Sequence, residues 1–155
     1  MSSPRAQSNQ ALYYARIVLG SWATLLEAQE IPSTTLHGAF AAPVLAHLKD
    51  AYGWFLLELA NQEHDPSAEL PLSSADVAAP AAGKAVTPEL RELAQLEKEG
   101  FLNVLWGEVS APLGPVSADN LASAAVVGIG FHELQGCAES FAALCERMRN
   151  SLDEY

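Results

Sequence analysis

The sequence predicts an all-α protein. It reads as an antiparallel up-down four-helix bundle in which a long Ala/Pro-rich linker, residues 61–86, joins helices two and three. Three observations lead there. Apolar residues recur at three- and four-residue spacing in four stretches, the period at which side chains share one helix face. Those stretches begin and end at capping and proline signals. Their apolar arcs are too broad to be satisfied without partner helices.

The first seven residues read as a frayed tail, with Ser8 or Asn9 placed to cap a helix by accepting an orphan backbone N–H. From there to about Gln29, the residues Leu12, Tyr14, Ala15, Val18, Leu19, Trp22, Ala23, Leu25 and Leu26 cover roughly half the circumference. Tyr13 and Ile17 fall among the polar residues on the other side and are the first candidates for an exposed patch. Ile31-Pro32-Ser33-Thr34 is a short connection, because proline disfavours helix at Ile31 and Ser33 or Thr34 caps the second helix. So short a link makes the first two helices an antiparallel hairpin.

In the second helix, Leu36 to Leu59, the residues Ala41, Val44, Leu45, Leu48, Ala51, Tyr52, Phe55, Leu56 and Leu59 lie within roughly 140° of one another. Pro43 frees the carbonyl of Ala39, and both project to the polar side, where water satisfies it. A bend rather than a stop is expected. Residues 61–86 then hold Pro66, Pro71, Pro80 and Gly83 among alanines and serines, with Ser73 or Ser74 capping a short turn through Val77. A connection of this length is either mobile or functional, and mobility is expected.

Thr87-Pro88-Glu89 is a helix entry: a capping hydroxyl, proline in the first turn and an acid at the positive end of the dipole. Leu90, Leu93, Ala94, Phe101, Val104 and Leu105 share a face, and this third helix is expected to run to about Ser110. Residues 117–130 read as a packed connection, with or without a short helix capped by Asp119. The last helix repeats Leu134, Cys137, Ala138, Phe141, Leu144, Cys145, Met148 and Leu152, with Arg147 and Arg149 near its negative end.

A chain of 155 residues suits a single domain, 1–155, and 50% hydrophobic residues supply a core. With 19 acidic against 8 basic residues, the net charge of −11 repels a phosphate backbone, and no basic cluster offsets it. Nucleic acid is therefore not an expected partner. Cys137 and Cys145, eight apart on one helix, are about 12 Å apart along its axis and beyond disulfide reach. They read as buried thiols of a cytoplasmic protein. No run of about 20 apolar residues crosses a membrane, and Arg16 interrupts the apolar N-terminal run that a leader would need.

Bundle chemistries can be tested by spacing. None of His37, His47, His64 and His132 has a Glu three residues before it, as a di-iron helix requires to bring carboxylate and imidazole onto one face. His132-Glu133-Leu134-Gln135-Gly136 lacks the second histidine of a zincin. Gly128-Ile129-Gly130 is a fragment of a phosphate loop and reads as a turn. Cys137 and His132 point in different directions on their helix. The chain does not read as an enzyme, and no catalytic, cofactor-binding or metal-binding residue is assigned.

Two polar anomalies remain. Glu97 and Glu108 project onto the middle of the apolar face of the third helix, where inward carboxylates would share a proton or bind a cation. The plainer account, which we adopt, has Gly100 or Gly107 disturbing the helix or each acid lying in water at a bundle end. On the second helix, His47, Asp50, Trp54, Leu57 and Asn61 form an outer stripe of the kind protein contacts use, unless the linker covers Trp54. Trp106 raises the same question on the third helix.

The run Asn9-Gln10-Ala11-Leu12-Tyr13-Tyr14-Ala15 resembles the opening of a family of short, uncharacterised gammaproteobacterial proteins common in pseudomonads. The likeness continues through the helix around His47, the Pro88-Glu89-Leu90 entry with Leu93 and Leu96, and Phe141 through Glu154. What the resemblance implies is a domain of unknown function, with no catalytic residues to carry over. The function expected from the residues is a non-catalytic protein-interaction or self-associating bundle, with a second copy or another protein as partner. The alternative is a small-ligand- or metal-binding bundle using inward carboxylates or histidines.

Overall fold

The computed structural model describes residues 2–77, 86–109 and 129–154, whose regular structure is helical, with no strand among them. The α-helices are α1 (Pro4–Ala28), α2 (Ser33–Leu59), α3 (Pro88–Glu99) and α4 (Phe131–Asp153). No described helix is long and apolar enough to cross a membrane.

The start of α1 corrects the expectation of a frayed tail. Ser3 is the cap, its hydroxyl accepting from the Ala6 N–H at 3.1 Å, and Pro4 takes the first position, where a missing N–H loses no bond. Ser8 is instead buried and donates its hydroxyl to the Ala51 carbonyl at 2.8 Å, tying α1 to α2. The helix ends at Gln29, in the left-handed region at φ 54°.

α2 runs through Pro43, with Ala39 and Pro43 both exposed, so the freed carbonyl faces water as the sequence predicts. Its inward side chains Leu48, Tyr52, Phe55 and Leu56 are fully buried against Trp22 of α1, Phe141 and Leu134 of α4 and Leu93 of α3 in one core. Gly53 is buried as well. A Cβ there would stand 2.9 Å from the Pro71 carbonyl oxygen and 3.0 Å from Leu70 Cβ. Residues 61–77 therefore lie down on α2, which corrects the expectation of a mobile linker for this half. Ser74–Asp76 forms the expected short turn as a 3₁₀ segment, and Val77 joins the core. Residues 78–85 lie outside the described residues.

α3 stops at Glu99 rather than near Ser110. Gly100 is extended (φ −110°, ψ −166°), and the chain continues as a 3₁₀ segment, Phe101–Trp106. Glycine gains least from helix. The tighter segment still buries Leu102 and Leu105. α4 opens at Gly130, whose N–H donates to Glu133 Oε2 at 3.1 Å, and it buries the predicted seam from Leu134 to Met148, leaving Leu152 exposed. The expectation for 117–128 lies outside the described residues.

Contacts at the ends fix the directions. Arg5, at the start of α1, meets Glu58 and Asp153 at the ends of α2 and α4, while Trp22 packs on Phe131 at the start of α4. Residues 88–109 return along α2: Glu97 meets Tyr52, and the Val109 carbonyl meets His37 near the start of α2 at 2.6 Å.

Candidate functional site

The outward face of α1 carries Gln10, Tyr13, Tyr14, Ile17, Gly20, Ser21 and Thr24, within about 120° of one another and all exposed. Tyr13 is 63% exposed, Ile17 49% and Tyr14 43%. Tyr14 was expected inward. It lies at the edge of the buried arc, where its hydroxyl accepts from Gln10 Nε2 at 2.8 Å and its ring stands edge-on to His47. None of the seven is charged. Across residues 6–48 the formal charges are Arg16, Glu27 and Glu30 alone. Single exposed apolar residues need no explanation, but a contiguous uncharged face with two tyrosines and an isoleucine does.

The predicted stripe on α2 does not stay together. His47 is half-buried beside Tyr14 and joins the α1 face; Asp50 is exposed. Trp54 is half-buried and packs on His64 of the following segment, ring centroids 4.9 Å apart. Leu57 is buried and lines a recess with His64, Leu70 and Val77, which corrects its assignment to an outer surface. The segment folding back over α2 is the cause. Trp106 is exposed, with its ring edge-on to Tyr52 and close to Leu72.

The two inward carboxylates also separate. Glu97 is half-buried and accepts hydrogen bonds from the Tyr52 hydroxyl, from the Ser74 N–H at 2.7 Å and from Ser74 Oγ at 2.9 Å. It thus clasps α2, the 3₁₀ turn and α3 together. Burial, reinforced by the Glu97 carboxylate, pushes the Tyr52 hydroxyl well above its ordinary pKa. Glu108 is exposed, beyond the helix break at Gly100, so it shares no proton or cation with Glu97. Among the described residues, no three histidine, cysteine or acidic side chains come together as metal ligands would.

Sequence reasoning missed Glu58. This acid, 11% exposed, accepts from Arg5 Nε at 2.9 Å and from Arg149 at 2.8 and 3.0 Å. Arg149, 14% exposed, also reaches Asn9 at 2.7 Å and stands over the Phe55 ring. Arg5 continues to Asp153, and these hydrogen bonds raise its already high pKa. The signal was there: Glu58 follows Phe55 by three residues and Arg149 follows Cys145 by four, so opposite charges extend two apolar seams.

Cys137 and Cys145 are buried and unpaired, and burial pushes both thiols up to about 12. They are structural rather than nucleophilic.

Neither a curated protein nor a solved structure matches the chain. The model of a family of unknown function, DUF6586, matches residues 1–155. The chain therefore belongs to the DUF6586 family.

Proposed function

We propose that the protein is a non-catalytic helical interaction module that meets a protein partner through the outer face of α1. The architecture in this reading is an up-down bundle whose third rod is α3 with the 3₁₀ segment after it, and in which residues 61–77 pack along α2. The observation that carries the reading is the uncharged stripe from Gln10 to Thr24, centred on Tyr13, Tyr14 and Ile17. The chain's own core makes no use of these side chains, and tyrosine is a frequent anchor of protein contacts. Two unpaired buried thiols suit a reducing compartment, the cytoplasm.

The test is a photo-crosslinking amino acid placed at Ile17 in cells that make the protein, with the exposed Arg91 as the control position. The reading expects a discrete polypeptide adduct from position 17 alone. Equal or absent adducts at the two positions would count against it.

A further inference from the structure

We infer that the partner on the α1 face is a second copy of this chain, docked antiparallel with Ile17 on the two-fold axis; this rests on the interaction reading above. An antiparallel crossing at Ile17 sets residue 14 against 20, 13 against 21 and 10 against 24. The exposed residues then pair large with small: Tyr14 meets Gly20, Tyr13 meets Ser21, Gln10 meets Thr24, and Ile17 meets itself. Such a patch is self-complementary, as a two-fold interface requires. A parallel crossing would set tyrosine on tyrosine and leave a void between two glycines.

Gly20 supports this pairing. A Cβ there would meet nothing within 4 Å, so the fold itself does not call for a glycine, which is unfavourable inside a helix. The space it leaves opens outward, where a tyrosine ring from a second copy fits. Charge points the same way. The chain carries −11, but residues 6–48 carry one Arg and two Glu, a net −1 that leaves −10 for the rest. Two copies of an acidic protein repel least where this hairpin faces its twin, and a charged partner finds no complement there. The stripe runs about 21 Å, short for a standard interface, so the association is concentration-dependent rather than obligate.

Cysteine crosslinking of the full chain tests the pairing, because both native thiols are buried. Under mild oxidation, Ile17→Cys should form a covalent dimer, as should a mixture of Tyr14→Cys and Gly20→Cys chains, while an exposed control, Arg91→Cys, should form little. Adding Gly20→Leu to Ile17→Cys should abolish the dimer without lowering the unfolding midpoint, since the site is open. Crosslinking of Tyr14→Cys to itself but not to Gly20→Cys would overturn the antiparallel register. Absence of a preferred crosslink at Ile17 would overturn the second copy as partner. The interaction reading would still stand if the photo-crosslink at position 17 captured a different polypeptide, and would fall if it captured none.

Discussion

Glu58 sits where two arginines from different helices converge, and its carboxylate is nearly out of water. Removing that charge leaves Arg149, largely out of water, without its carboxylate, while Arg5 keeps Asp153. Glu58→Gln should therefore cost about 3 kcal/mol in urea unfolding. The solvent-exposed pair Arg147–Glu92 makes the contrast, and Glu92→Gln should cost under about 1 kcal/mol. The buried thiols bear on pH. Folded Cys137 and Cys145 keep their protons up to about 12, against an ordinary value of 9.0, so the native state binds more protons than the unfolded chain in that interval. Their contribution is complete below pH 9 and is lost as pH rises toward 12, and Tyr52 acts in the same direction. The urea midpoint should fall steadily over that range. A flat profile would contradict the burial of these groups. At this scale the sequence was half legible. That the cysteines are buried and unpaired follows from their place on an apolar seam. That Glu97 is occupied by Tyr52 and Ser74 does not, since those partners are 45 and 23 residues away.

Each long helix is set by its seam, and its neighbours by where a side chain is missing. Leu48 is in the middle of the α2 face and fully buried, so Leu48→Ala should cost about 2–5 kcal/mol in the same assay. Gly53 and Gly20 are both helical glycines with opposite expected outcomes. Gly53→Ala drives a methyl into Leu70 and Pro71 and should cost about 1–3 kcal/mol, with faster hydrogen exchange over residues 65–77. Gly20→Ala adds a methyl in open space and should stabilise the monomer by about 0.5–1 kcal/mol. The elements themselves were readable: Thr87-Pro88 caps α3, and Pro43 sits on the water side without ending α2. Gly100 was legible as a residue that disturbs this helix, but the end of α3 there was not, because Phe101, Val104 and Leu105 keep helical spacing while the backbone tightens to 3₁₀. Nor was the docking of 61–77, where Leu70 and Pro71 offer no periodicity to read.

At the scale of the molecule, the ends of α1, α2 and α4 are bound by the Arg5–Glu58–Arg149 cluster, while the segment 61–77 is drawn onto α2. Left outside is an uncharged face on α1. Tyr13 and Ile17 were legible as outward residues from their helical angle alone, and cover of Trp54 by the linker was the stated alternative to a protein contact, whereas Leu57 was misplaced because cover by the following segment leaves no mark on a helix's own pattern. An acidic chain that keeps one long face free of charge has a surface suited to close approach by its own kind. The most direct measurement is sedimentation equilibrium over a wide concentration range for the wild type and for Ile17→Asp. The account predicts reversible dimerisation of the wild type, and a monomer with an unchanged unfolding midpoint for the variant, whose site is half exposed. Identical masses for the two proteins at every concentration would contradict it.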